Sequence, residues 1–213
     1  SFRGSDLRTA LRANQWVSHQ GAIDRKEQLH KAQQVLKHAA RCYYDLYHNL
    51  SNAQAVTRLV PLTEKIRGFI QATKEDQGIL VVAPHLSNFD LAVSALAIYG
   101  LEAKILTHGD PNAAYHIQNN IRASTGLEVT PLQDPRVYAD VVEHLKHGGV
   151  AATAVDRPVP NRKRRHQINF FGRSSALPVG HISLALAAEV PISVVGVKMD
   201  PSGIYRLLYS GPH

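Results

Sequence analysis

From residue 78 onward, short apolar runs alternate with helical stretches, and this rhythm constrains the fold more than any other feature of the chain. ILVVA (79–83) is a continuous apolar run of the kind found in a strand covered on both faces. Leu91 to Tyr99 reads as helix, AKILT (103–107) as strand, 112–124 as helix and LEVTPL (127–132) as strand. The next helix is punctuated at both ends. Asp134 stands at its N-cap and Pro135 at its first position, Val137, Val141, Val142 and Leu145 line one face, and Gly148-Gly149 stop it. VAATAV (150–155) is a further buried strand. A basic loop, INFF, a helix over 178–189 and the strands PISVVGV (191–197) and GIYRLLY (203–209) complete the pattern. Such alternation implies an α/β fold: a mixed, mainly parallel sheet flanked by helices on both sides. Ligands in sheets of this type sit at the carboxyl ends of the strands.

Residues 5–74 read differently. Leu29, Ala32, Leu36, Ala39, Tyr43, Leu46 and Leu50 fall in steps of three and four, one stripe of an amphipathic helix. We expect that stripe to pack on the core; lying on a membrane surface is the competing expectation. Pro61 starts or kinks a later helix. The expected organisation is a helical N-terminal extension over 1–76, packed on an α/β core over 77–213. The single cysteine, Cys42, rules out an internal disulfide and fits a small buried hydrophobe on the stripe. No run approaches the roughly 18 apolar residues of a spanning helix. The chain begins at Ser1 and ends on GPH just after a strand, so both ends are expected to be truncated.

The segment VVAPHLSNFDLAVSALAIYG (81–100) holds an unusual connection. His85 lies two residues past the first core strand, where glycine, asparagine or serine would be ordinary. Ser87 or Asn88 caps the helix that follows. Asp90 then sits in the first turn, where the macrodipole favours a carboxylate. From there it is expected to reach back to the imidazole Nδ1–H, fixing the tautomer and leaving Nε2 as proton acceptor. An oriented His–Asp pair at a strand end is the base half of an acyl-transfer site. The spacing by itself decides little, because His19 and Asp24 in HQGAID repeat it. HQGAID has no strand before it and carries a glycine, so it is assigned to a helix–helix loop.

The charge balance, 24 Lys+Arg against 17 Asp+Glu, favours an anionic partner: nucleic acid, anionic lipid or an acidic carrier protein. The positive residues concentrate in NRKRRHQ (161–167), whose plain alternative is a solvated loop.

HLSNFD resembles the H-x4-D motif of the glycerolipid and lysophospholipid acyltransferase superfamily. More narrowly, the chain is similar to the bacterial lipid A biosynthesis (late) acyltransferases, a family that includes the phosphatidylinositol mannoside acyltransferases. IRASTGLEVTPL (121–132), VAATAVDRPV (150–159) and NFFGRSSALPVGHISLALAAEVPISVVGV (169–197) look like further blocks of that family, in its order. The similarity runs over about residues 30 to 210. The hydrophobic, membrane-embedded N-terminal segment usual in the family is not present here, nor is the helical section that usually follows the last strand.

The resemblance implies a glycerolipid acyltransferase-like fold and an O-acyltransferase that moves a fatty acyl chain from a thioester donor to a hydroxyl of a membrane lipid or glycolipid. His85 is then the general base and Asp90 its partner. The donor is acyl-CoA or acyl-[acyl carrier protein], with no bound cofactor and no metal ligands. Asn88, Arg122, Asp156, Arg157, Phe171 and Gly172 are candidate substrate-binding residues. Arg122 and Arg157 are candidates for phosphate, with a structural salt bridge as the alternative for each, Asp156 for holding Arg157 or a substrate hydroxyl, and Phe171-Gly172 for letting the backbone approach the cleft, with a simple turn as the alternative. Arg162, Lys163, Arg164 and Arg165 are candidates for contact with an anionic membrane surface or acyl carrier protein. The expected location is peripheral, on the cytoplasmic face of the cell membrane.

Three rival readings remain at this level. The net charge of +7 suggests a nucleic-acid-binding domain, but no aromatic–basic stacking motif accompanies it, and no nucleic-acid partner is expected. The 12 histidines suggest a metal-dependent hydrolase, but no two pair in a ligand motif such as H-E-x-x-H. A catalytically silent, lipid-binding member of the same fold is separated only by an activity assay.

Overall fold

The computed structural model describes residues 4–49, 51–74, 77–107, 113–131, 135–156 and 165–213. Four helices come first: α1 (Gly4–Ser18), α2 (Arg25–Asn49), α3 (Ala53–Leu59) and α4 (Glu64–Ala72). Asn52 and Thr63 cap α3 and α4 with side-chain oxygens, and Pro61 lies in the connection between them. There follow β1 (Ile79–Ala83), α5 (Phe89–Ile98), β2 (Lys104–Thr107), α6 (Ala113–Ser124), β3 (Glu128–Pro131), α7 (Pro135–Lys146) and β4 (Val150–Ala154). The chain ends with β5 (Arg165–Phe170), β6 (Arg173–Pro178), α8 (Gly180–Ala188), β7 (Ile192–Met199) and β8 (Tyr205–Ser210).

Six strands form one sheet in the order β3-β2-β4-β1-β7-β8. All neighbours run parallel except β7 and β8. The sheet is therefore mixed and mainly parallel, with helices on both faces. Successive residues of β1 point to opposite faces. Leu80 and Val82 pack with Val141 and Leu145 of α7 and Leu184, Ala185 and Ala188 of α8. Ile79 and Val81 pack with Ile66, Phe69 and Ile70 of α4 and Leu96 of α5. A third cluster joins Cys42 and Leu46 of α2, Val56 and Val60, Leu91 and Ala95 of α5, Val197 and Tyr205. Gly78 leads into β1 where a Cβ would collide with the Leu145 carbonyl oxygen, so α7 and β1 meet at closest approach there.

Strand order fixes where a site belongs. From β1 the chain crosses to β2 and β3; from β4 it returns past β1 to β7. The neighbours β1 and β4 thus send their following loops in opposite directions. That is a topological switch point, and in sheets of this type ligands bind at the carboxyl ends of the two strands that flank it.

Two expectations change. The stretch after the basic loop is a two-stranded hairpin, β5–β6, set apart from the main sheet. Its polar residues alternate poorly with apolar ones, which hid the second strand. The buried face of α2 is also turned relative to the stripe read from spacing. Leu36 and Tyr43 are 38% and 54% exposed, while His38, Cys42, Asp45 and Asn49 face the protein along with Ala32, Ala39 and Leu46. A polar network replaces part of the apolar stripe, so apolar periodicity alone pointed about a fifth of a turn away.

Candidate functional site

Register brings the central pair together. Ala83 of β1 is aligned with Ala154 of β4. Two residues further along each parallel strand stand His85 and Asp156. The His85 ring donates from Nδ1 to Asp156 Oδ1 at 2.6 Å, and the His85 backbone N–H donates to Oδ2 at 3.0 Å. Both carboxylate oxygens therefore grip residue 85. An ionised carboxylate only accepts, so Nδ1 carries a proton and, in the neutral ring, the lone pair is on Nε2. Burial alone would raise the Asp156 carboxyl, but the ring and backbone hydrogen bonds from His85 outweigh it and hold the group below its usual value. The pair remains open to solvent, with side chains 21% and 38% exposed. Phe89 meets the His85 ring edge-on, with centroids 4.8 Å apart.

Asp90 does something other than expected. Its Oδ1 accepts from Arg122 Nε at 2.8 Å and from Nη2 at 2.7 Å, and both side chains are 9% exposed. The structure thus replaces the expected His85–Asp90 contact with His85–Asp156. The reason is burial. A carboxylate in the first turn of α5, packed against α6, needs a full cation close by, and Arg122 supplies it from α6. Arg122 also donates from Nη1 to Asn119 at 3.1 Å, and its guanidinium lies 5.9 Å from the centre of the Phe89 ring. Phe89 therefore touches both the His85 imidazole and the Arg122 guanidinium.

Asn88, a candidate substrate ligand, is engaged within the chain. It is 4% exposed, caps α5 by accepting from the Leu91 N–H at 3.3 Å, and donates to the Cys42 carbonyl at 2.8 Å. Phe171-Gly172 is the two-residue turn of the β5–β6 hairpin, with φ of 51° and 75°. Positive φ at both positions suits a type I′ turn, which explains the glycine. The nearest side chain to Gly172 is Gln20, at the α1–α2 turn. Arg157, Arg162, Lys163 and Arg164 lie outside the described residues; Arg165 opens β5, and its side chain lies outside them too.

The second H-x4-D match sits in the α1–α2 turn. His19 Nδ1 bonds the Gln15 carbonyl at 2.8 Å, and Asp24 accepts from the Glu27 N–H at 2.8 Å. The two residues serve a helix end and a helix start, and they do not touch. What spacing could not supply at His85 was the partner. Asp156 carried only a partial signal, since it follows a strand-like run as His85 does; its pairing with residue 85 needs β4 beside β1, which the sheet order supplies.

Together these features define an α/β protein with a histidine–carboxylate dyad at a topological switch point. Residues 57–211 match the bacterial lipid A biosynthesis acyltransferase family. With more than half of its residues in that match, the chain belongs to this family, and acyl transfer is the general activity that membership brings. No curated protein matches the chain. Among the described residues, no helix is long and apolar enough to cross a membrane.

Proposed function

We propose that the protein is an O-acyltransferase that carries a fatty acyl chain from a thioester to a hydroxyl of a membrane lipid or glycolipid, with His85 as general base and Asp156 as the group that orients it. The observation that carries this reading is the 2.6 Å contact between His85 Nδ1 and Asp156. An alcohol is a poor nucleophile at neutral pH. Nε2 takes the hydroxyl proton as the oxygen attacks the thioester carbonyl carbon. Asp156 stabilises the imidazolium that forms. The tetrahedral oxyanion then collapses, the C–S bond breaks, and the imidazolium returns its proton to the departing thiolate. Base assistance of this kind is worth about 10²–10⁴-fold. Backbone N–H groups at the start of α5, close after His85 in the chain, are the candidate donors to the developing oxyanion. Asp90 and Arg122 hold the α5–α6 side of the loop.

The donor is coenzyme A- or acyl carrier protein-bound, and no resident cofactor takes part. The protein works peripherally on the cytoplasmic face of the membrane, drawn to anionic lipid by the basic run at 162–165. The test is thiol release from an acyl thioester in the presence of a glycolipid or lysophospholipid acceptor. Acceptor-dependent release with recovery of an ester supports the reading. Release without an acylated lipid overturns it in favour of thioester hydrolysis, and no release with any acceptor class overturns it and leaves a lipid-binding member without turnover.

A further inference from the structure

We propose that His38, on α2, is a positioning residue for the reaction: it holds the β1–α5 turn that carries His85. The proposal rests on the reading of His85 as base. The family match spans residues 57–211, so Ser87 lies inside it and His38, on α2 at Arg25–Asn49, lies outside it.

Ser87 is one of the few non-glycine residues with positive φ, at 52°. A serine held left-handed is strained, so something must hold it. The grip comes from 49 positions away in sequence. His38 Nε2 bonds Ser87 Oγ at 2.9 Å. One turn on, Cys42 Sγ lies 3.5 Å from His38 Nε2 and 3.9 Å from Ser87 Oγ. The Cys42 carbonyl accepts from Asn88 at 2.8 Å. Residues 87 and 88 are thus both tied to one face of α2, and they separate His85 from Phe89, whose ring packs on the imidazole. The helix is itself fixed further along. Asp45, 2% exposed, accepts from Arg41 at 2.7 Å and from the hydroxyl of Tyr205, on β8, at 2.8 Å. A helix anchored on the sheet therefore braces a strained turn two residues from the proposed base. Losing the brace lets the turn relax, and the imidazole leaves its attack geometry while the substrate surface is untouched.

The experiment compares His38→Ala, His38→Gln, Ser87→Ala and the His38→Ala/Ser87→Ala double variant with wild type in the thioester assay, each with its urea unfolding curve. His38→Ala is expected to lower kcat by about tenfold or more, since small misplacements of a reacting group are that costly, with KM within twofold. His38→Gln, whose amide nitrogen can occupy the place of Nε2, restores most of the loss. The double variant is no slower than the slower single, because both changes remove the same bond. The proposal is overturned by wild-type kcat in His38→Ala. It is equally overturned by multiplicative losses in the double variant, or by a loss that follows unfolding and is not restored by Gln. His85→Ala is run alongside. If it keeps full turnover, the reading of the base fails. If it is inactive while His38→Ala is normal, the brace alone fails.

Discussion

Asp90 and Arg122 form an ion pair in which one carboxylate oxygen accepts from both Nε and Nη2 of the guanidinium, with each side chain 9% exposed. Removing one member of such a pair leaves a buried charge without its partner. Arg122→Met is therefore expected to lower unfolding free energy by about 3–5 kcal/mol. Adding Asp90→Asn to Arg122→Met should recover part of that loss, because the orphaned carboxylate is gone. Urea unfolding of the two variants measures both effects. An Arg122→Met protein as stable as wild type would mean that the pair carries no structural weight.

Asp200 makes the clearest acid-sensitive link. It accepts from Ser202 and the Ile204 N–H in the β7–β8 turn and from Arg206 on β8, led by the Ser202 hydroxyl, and its carboxyl falls from 3.8 to about 2. A carboxylate depressed on folding stabilises the fold above its unfolded value, and that contribution disappears as pH falls through the folded value. The Asp200 contribution is thus complete above about pH 4 and gone near pH 2. Asp200→Asn should melt below wild type at pH 6, and the gap should close on acidification across that window. A constant gap between pH 6 and pH 2 would contradict the assignment.

Trp16 is the sole tryptophan, is 42% exposed, and lies 5.0 Å beneath the Arg173 guanidinium at the start of β6. The exposed rings of Phe170 and Phe171 pack on each other at the tip of the same hairpin. The basic run at 162–165 leads directly into that hairpin. If this run docks on anionic lipid, each residue contributes on the order of 1 kcal/mol near the surface, fading within a Debye length. Replacing Arg162, Lys163, Arg164 and Arg165 with Gln should then weaken sedimentation with anionic vesicles by orders of magnitude at low salt. Binding to neutral vesicles should barely change. The Trp16 emission should move to the blue on wild-type binding, since indole favours the interface. Equal binding of both proteins to anionic vesicles at low salt would leave the run as a solvated connection.

The α/β alternation was legible because buried parallel strands such as ILVVA are continuous apolar runs, and Gly148-Gly149 and Pro135 mark helix ends chemically. The position of His85 was legible for the same reason, since it follows such a strand. Its partner was not, because pairing depends on which strands lie side by side. β4 sits next to β1 although β2 and β3 come first in the chain. The nearer carboxylate in sequence, Asp90, is drawn away by Arg122. The polar face of α2 was hidden for a related reason. His38, Cys42 and Asp45 are satisfied by Ser87, Asn88 and Tyr205, partners 160 residues away in the last case, and apolar periodicity does not register groups buried by hydrogen bonding.

The most direct test of the central claim is the turnover number of Asp156→Asn, measured with acyl thioester and lipid acceptor beside His85→Ala and the matched control His19→Ala. Asparagine keeps the size of the side chain but removes the charge that orients the imidazole and stabilises its protonated form. A loss of about 10²–10⁴-fold in kcat is expected for both Asp156→Asn and His85→Ala, with wild-type turnover for His19→Ala at equal folded fraction. Near-normal turnover in Asp156→Asn while His85→Ala is inactive would contradict the pairing, and near-normal turnover in His85→Ala would contradict the base itself.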